Sequence, residues 1–148
     1  ERDSAIAHCA DLLGAMCPGY DFTRELRLTH EFGLGDTLLS YNGSELRAFA
    51  LCHSAPLVEG RARDEMRVLK LVARDEDAFA RIVLELAAYA RKIGTKTLSI
   101  RVQGAYSAAY RFLIAQGAKV RWTDLRMTVC GFAETVPASG VVLSNWEI

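Results

Sequence analysis

The sequence has no excess of charge of either sign, because 18 Lys and Arg side chains balance 18 Asp and Glu side chains among 148 residues. Proteins that bind nucleic acid or an anionic membrane through surface charge carry a basic excess. The balance therefore argues against both partners. No apolar run approaches the ~20 residues needed to span a bilayer, and no signal peptide opens the chain, so we expect a cytoplasmic protein.

The sequence also has few cysteines and no known catalytic motif. It contains no GxSxG, P-loop, HExxH or GxGxxG motif in a suitable context. The cysteines form neither a CxxC pair nor a dense disulfide framework, and we predict that all four are reduced: Cys9, Cys17, Cys52 and Cys130. Two of them have a histidine neighbour, but adjacent residues of a strand point to opposite faces, so we expect no metal site.

The stretch 66–102 predicts a strand-helix-strand crossover. Residues 68–73 are apolar on both faces, as in a central strand. After an acidic cluster, apolar residues follow at helical spacing up to the stop at Gly94: Phe79, Ile82, Val83, Leu86, Ala90 and Ile93. Residues 97–102 alternate as a second strand. The two strands should be parallel and joined by a right-handed connection.

The rest of the chain predicts further strands and two more helices. Before the crossover we expect a helix over 4–16, an edge strand over 25–30, and a hairpin of 38–41 with 46–52 through a type I′ turn at Asn42-Gly43. After it we expect a helix over 106–116, strands near 120–122 and 125–129, and an ordered tail over 141–148 that adds a last strand or docks on the core. The fold class is α/β (α+β), with a mixed twisted sheet of about six or seven strands, helices on both faces, and one domain over 1–148.

This order of elements, with the run Tyr89-Ala90-Arg91-Lys92-Ile93-Gly94-Thr95-Lys96-Thr97-Leu98 at its centre and Ala109 eight residues before Gly117, resembles the GCN5-related N-acetyltransferase (GNAT) family over 38–129. The resemblance implies that acetyl-coenzyme A would lie between the two crossover strands, with its pyrophosphate at the amino end of the intervening helix, where free N–H groups and the helix dipole favour an anion. It also implies that the backbone of Leu71 and Val72 would hold the pantetheine arm and that Arg74 would hold a phosphate. The full set of cofactor-binding positions lies at the end of the first strand and the start of the helix: Leu71, Val72, Arg74, Asp75, Asp77 and Ala78.

The loop at this helix start departs from the family pattern. The family has Arg or Gln, two residues, Gly, one residue, then Gly or Ala, whereas the register that begins at Arg74 contains no glycine. Asp75, Glu76 and Asp77 place carboxylates there instead, and Asp75 suits a helix cap. A carboxylate ~4 Å from a phosphate charge costs about 4 kcal/mol at an effective dielectric near 20. We therefore predict that the chain fills its own anion site.

The catalytic positions are incomplete as well. Acetyl transfer needs a base for the amine proton and often an acid for the leaving thiolate. The family frequently uses a tyrosine on the second helix as the acid, and the register set by Ala109 and Gly117 places Leu113 there. Tyr110 lies nearby, and we predict that it packs in the core. Glu65, at the start of the central strand, is the best-placed base.

Two functions remain open. One is an active acetyl-coenzyme A-dependent N-acetyltransferase with a non-standard pyrophosphate loop and Glu65 as base. The other, which we favour, is a degenerate GNAT-like domain that uses no cofactor and belongs to a longer tandem protein. Its partner would be an active N-acetyltransferase domain of the same protein, to which it gives structural support or substrate shape, or a homo-oligomer.

Overall fold

A computed structural model describes residues 1–56, 58–125, 127–132, 134 and 136–145. Its elements, in chain order, are α1 (Arg2–Met16), α2 (Thr23–Glu31), β1 (Gly35–Asn42), β2 (Glu45–His53), β3 (Glu65–Ala73), α3 (Glu76–Lys92), β4 (Thr97–Ile100), α4 (Ser107–Ala115) and β5 (Val141–Ser144). One sheet holds all five of these strands.

The sheet is mixed and is centred on β3. Strands β1, β2, β3 and β4 are neighbours in that order, with antiparallel pairing from β1 to β3 and parallel pairing between β3 and β4. The parallel register runs from Glu65 opposite Thr97 to Val68 opposite Ile100. The predicted strand-helix-strand order and the parallel pairing of its two strands are confirmed, although β4 ends at Ile100 and is shorter than expected.

The last strand occupies the second half of the β3 edge. β5 pairs antiparallel with β3 from Lys70 opposite Ser144 to Ala73 opposite Val141. Because β2 takes the other edge of β3 from residue 67 onward, β4 and β5 share one edge, with β4 beside the start of β3 and β5 beside its end. The tail is confirmed as a strand up to Ser144, and residues 146–148 lie outside the described part.

Helices cover both faces of the sheet. On one face α3 packs on the sheet and α4 packs on α3, and the predicted α3 stripe is buried up to Ala90, with Ile82 and Leu86 fully enclosed. On the other face α1 and α2 cover Phe49, Leu51 and Val72. The predicted fold class is confirmed with five described strands in place of six or seven.

The expected edge strand over 25–30 is wrong, because these residues belong to α2. Leu26 and Thr29, three residues apart, are the buried residues of this helix, which is the spacing of one helical face. The backbone N–H of Thr23 donates to Asp21 Oδ1 at 2.8 Å beside the helix start. A segment of six residues is too short for its apolar pattern to distinguish the period of a strand from that of a helix.

The hairpin is confirmed, but its turn lies one residue further along. Asn42 pairs with Glu45, so Gly43 and Ser44 are the two central residues. Gly43 has φ 59°. Among the described residues only glycines have a positive φ, so Ser44 has a negative one. A positive φ at the first central position alone is the pattern of a type II′ turn, rather than the type I′ turn expected at Asn42-Gly43.

The strands expected near 120–122 and 125–129 are absent from the described residues of that stretch. The chain there touches the sheet through side chains instead. Arg121 reaches Glu65, and Asp124 lies 3.4 Å from Arg101. A strand needs a paired neighbour, and the described residues pair β4 with β3 alone.

Candidate functional site

A cleft of about 550 Å³ lies where α3 and α4 begin. The first turn of α3 forms one wall with Glu76 and Asp77, and residues 105–109 at the start of α4 form a second. The third wall is the stretch 136–141 that leads into β5. The cleft therefore combines two helix starts, two acidic side chains and the entry of the last strand.

Asp75 closes the start of α3. Its Oδ1 accepts the backbone N–H of Ala78 at 2.8 Å, and its Oδ2 accepts from Arg47 Nη2. The hydrogen bond from the Ala78 N–H is the main cause that holds the pKa of Asp75 below its usual range, and the contact with Arg47 has a smaller effect in the same direction. The predicted cap is confirmed. The Ala78 N–H is consequently occupied by a carboxylate.

The neighbours of Asp75 in the loop are held by other groups or point to solvent. Arg74 Nη1 lies 3.4 Å from Glu45 Oε1, and Glu45 Oε2 lies 3.3 Å from Arg47. Asp77 is exposed at the rim of the cleft. The loop therefore presents acidic groups toward the cleft, while its arginine pairs with β2.

Leu71 and Val72 are fully buried and have strand neighbours on both edges. Leu71 pairs with Ala50 on one side and Leu143 on the other. Val72 pairs with Phe49 and Val142. The backbone that the family resemblance assigns to the pantetheine arm is thus already enclosed by two strands of this chain.

Polar contacts hold β5 in this position. Lys70 is 4% exposed, and its Nζ donates to Ser144 Oγ at 2.8 Å. The Asn145 N–H donates to Leu69 O at 2.7 Å, and Arg101 Nη1 donates to Asn145 Oδ1 at 3.0 Å. Burial lowers the pKa of Lys70, against the opposing effect of Glu25 at 3.7 Å. The sequence analysis did not identify Lys70 as a contact of β5. The available signal was a single positive charge inside an otherwise apolar strand.

Glu65 lies at the opposite end of β3 from the loop. It accepts from Ser99 Oγ and from Arg121 Nη1, the latter at 2.6 Å. The hydrogen bond from Ser99 is the main cause that holds the pKa of Glu65 below its usual range, and Arg121 has a smaller effect in the same direction. A general base works best when its pKa is close to the working pH, so these contacts make Glu65 a weaker base. Sequence reasoning could not find Arg121, which is 56 residues away.

The tyrosines near the second helix differ from expectation. Tyr110 is 47% exposed, so its predicted core packing is wrong. Tyr106 is buried at the start of α4, and burial raises its pKa. Leu113 packs partly buried against the core and has no proton to donate.

In the described part of the chain, no group of three His, Cys, Asp or Glu side chains could hold a metal ion, and no helix there is long and apolar enough to cross a membrane.

No protein-family model and no curated protein matches this sequence. Solved structures do. TTHA1254 from Thermus thermophilus aligns with a TM-score of 0.61 at 19% identity, over 84% of this chain and 92% of that one. The aminoglycoside N-acetyltransferase AAC(6')-Iy, in complex with the bisubstrate analog CoA-S-monomethyl-acetylneamine, aligns with a TM-score of 0.61 at 12% identity, over 86% and 93%. The chain has the GNAT fold.

The residues of this GNAT fold do not fit acetyl-coenzyme A at the places that the family resemblance indicates. Pantetheine would need the edge of β3 that β5 occupies. A pyrophosphate at the start of α3 would meet Asp75 on the Ala78 N–H, with the exposed Glu76 and Asp77 beside it. Identities of 12–19% extend the likeness to the fold alone.

Proposed function

We propose that this chain is a GNAT-fold domain that does not usefully bind acetyl-coenzyme A and that gives structural support or substrate shape to an active N-acetyltransferase domain or to a second copy. The pairing of β5 with residues 70–73 of β3 carries this proposal. A domain whose cofactor edge is filled by its own chain keeps the fold and loses the reaction.

Removing β5 to admit a cofactor would be costly. Val141, Val142 and Leu143 are all at most 4% exposed. Exposing such a side chain costs about 1.5–3 kcal/mol. The three together would consume most of the ~8 kcal/mol that a micromolar complex releases. Only a ligand with much more binding energy could displace the strand.

Charge supports the same proposal to a smaller degree. Asp75 already accepts the Ala78 N–H and pairs with Arg47, so a phosphate at the helix start would have to displace it from both groups. Glu76 and Asp77 are exposed and can turn into solvent, where salt screens them. One fixed carboxylate and one occupied strand edge act against the cofactor together.

The cleft favours a second candidate, an active acetyltransferase with a non-standard pyrophosphate loop. Its volume of about 550 Å³ suits a small ligand, and its place between α3 and α4 is near the predicted cofactor site. In this alternative β5 leaves the edge of β3, Arg74 leaves Glu45, and Glu65 acts as the base. The low pKa of Glu65 and the burial of β5 weigh against it.

Isothermal titration of the 148-residue chain with acetyl-coenzyme A tests the proposal. We expect no saturable binding tighter than about 1 mM, a binding free energy no better than ~4 kcal/mol. The double variant Asp75→Gly, Asp77→Gly should recover only part of the binding, because β5 remains in place, and circular dichroism checks that it still folds. Saturable micromolar binding by the unchanged chain would overturn the proposal and favour the acetyltransferase.

A further inference from the structure

A cavity of about 210 Å³ lies between α1, α2 and β1, and we call it the α1–α2 pocket. Its buried lining residues form the floor, and most of them are apolar: Ile6, Cys9, Leu26 and Thr29. Burial raises the pKa of Cys9 to about 12, so its thiol is neutral and packs as a small apolar group. The Thr29 hydroxyl lies 2.8 Å from the ring of His53 and is already engaged there. The floor therefore offers mainly apolar surface.

The mouth of the α1–α2 pocket carries two side chains that donate hydrogen bonds. Arg2 at the start of α1 and His30 near the end of α2 both line the pocket and are exposed. A guanidinium is always charged and binds carboxylates through paired N–H groups, and a histidine ring keeps at least one N–H in either protonation state. These two groups suit an anion at the mouth.

The acidic group at the pocket does not oppose such an anion. Asp36 is the one carboxylate among the described residues that line the pocket. It accepts the Tyr89 hydroxyl at 2.6 Å, and Tyr89 belongs to α3, the helix on the other face of the sheet. The Asp36 carboxylate is consequently turned away from Arg2 and His30, which lie on the side of α1 and α2.

The volume of the pocket limits the size of its ligand. An apolar cavity of about 150 Å³ holds one benzene ring. At about 210 Å³, the α1–α2 pocket has room for one such ring with a short substituent. Sites for drug-sized ligands and cofactors are larger, at about 300–1,000 Å³.

We propose that the α1–α2 pocket binds a small monocarboxylic acid, with its apolar ring or short chain on the floor and its carboxylate at Arg2 and His30. The floor selects an apolar body of about one ring. The mouth selects a negative charge, because an amine would meet the guanidinium of Arg2 and a neutral ligand would leave that charge unpaired.

This inference goes beyond the proposed function and does not depend on it. The pocket residues Ile6 and Leu26 belong to the core under α1 and α2, whereas Phe79 and Ala109 of the cleft belong to the core on the other face of the sheet. Titration with acetyl-coenzyme A tests the cofactor site alone. The result of that titration neither supports nor contradicts binding of an acid in the α1–α2 pocket.

The first experiment is a titration of the unchanged 148-residue chain with phenylacetate, followed by the ¹⁵N–¹H shifts of its backbone amides. We expect saturable shifts centred on Ile6, Leu26 and Leu39, with a Kd of about 1 mM or tighter, which is within reach of a ligand of about ten non-hydrogen atoms. Acetate, which lacks the ring, should bind at least ~10-fold more weakly, because it buries little apolar surface.

Two further ligands test the role of charge without any change to the protein. Phenylacetamide has nearly the same shape as phenylacetate but no charge. It should bind at least ~10-fold more weakly, because hydrogen bonds to a charged group are about twice as strong as neutral ones. Phenethylamine carries the opposite charge and should not shift the amides of the pocket.

Two pairs of variants test the site residue by residue. Arg2→Gln should weaken phenylacetate binding about 10-fold, since it removes the charged partner of the carboxylate. Arg24→Gln, the matched control, removes the same charge at an exposed position of α2 outside the pocket. Ala5→Phe fills the pocket with its own ring and should abolish binding, whereas Ala7→Phe adds the same ring at an exposed position of α1 outside the pocket.

Circular dichroism checks that each variant folds, and the ligand series tests the proposal even where Ala5→Phe does not. Shifts that saturate at the pocket for phenylacetate, and that weaken for acetate and phenylacetamide, would support it. No binding with a Kd of about 1 mM or tighter, shifts centred on the cleft between α3 and α4, equal binding of phenylacetate and phenylacetamide, or equal effects of Arg2→Gln and Arg24→Gln would overturn it.

Discussion

At the scale of single residues, His53 is a buried titratable group that the proposed function does not use. It is 8% exposed at the end of β2, and its Nε2 lies 2.8 Å from Thr29 Oγ1 on α2. Burial is the main cause that lowers the pKa of His53, and the positive charge of the nearby Arg67 lowers it further. The neutral ring therefore links α2 to the sheet, and its protonation would place a charge among buried groups.

This depressed pKa predicts how stability depends on pH. As the pH falls below ~6.5, the unfolded chain takes up the His53 proton before the folded chain does. The stability that neutral His53 contributes is therefore present above ~6.5 and is lost as the pH falls through the lower folded pKa. Urea denaturation at about pH 7.5 and about pH 5.5 should show a larger loss of unfolding free energy for the unchanged chain than for His53→Gln, which cannot titrate. Equal losses would mean that His53 is not responsible.

Local residue roles could be predicted from sequence, while roles that depend on distant partners could not. Asp75 was predictable as a cap because the accepted N–H lies three residues away. The partners of Glu65 are Ser99 and Arg121, at separations of 34 and 56 residues. No spacing rule connects such residues, so Glu65 could be placed on its strand without its pKa direction being known.

At the scale of elements, α3 has one buried face and one exposed face. Leu86 is fully buried in this helix, while Leu84, two residues earlier, is 54% exposed. Leu86→Ala should lower the unfolding free energy by about 2–5 kcal/mol, since it leaves a cavity in the core. Leu84→Ala, the matched control in the same helix, should change it by no more than about 0.5 kcal/mol. Similar values from urea denaturation of the two variants would mean that the apolar stripe is not the packing face.

Long periodic elements were predictable and short ones were not. The 17-residue α3 repeats its apolar spacing often enough to exclude a strand. The 9-residue α2 is identified by tertiary contacts, through Leu26 in the core and Thr29 against His53. The stretch around Leu125 alternates as a strand should, but the described chain gives it no neighbour to pair with. Pairing depends on what lies nearby, which a pattern along one segment does not specify.

At the scale of the whole molecule, β5 connects the two layers. Val141 and Leu143 belong to the core under α3 and α4, while Val142 belongs to the core under α1 and α2. An apolar tail was predictable from its composition. Its position at the edge of β3 was not, because that depends on where β4 ends and on the buried Lys70 that holds Ser144.

Gly140 is the residue that allows β5 to enter this position. It has φ 77°, and a Cβ there would lie 2.2 Å from Ala73 O and 2.5 Å from Arg74 O. Both atoms are backbone at the end of the central strand and cannot give way cheaply. Gly140→Ala should therefore displace the start of β5 and lower the unfolding free energy by at least about 1–3 kcal/mol, the cost of a strained backbone position.

Because β5 contributes to both cores, the loss should reach both layers. Hydrogen exchange should show weaker protection in α1 and in α3 together, as expected for one cooperative unit. Gly104→Ala is the matched control, since a Cβ at Gly104 meets no atom within 4 Å. If Gly140→Ala weakens protection in α3 alone, β5 does not connect the layers. If it behaves like Gly104→Ala in both measurements, β5 is not seated on β3, and the strand that excludes acetyl-coenzyme A in the proposed function is not there to exclude it.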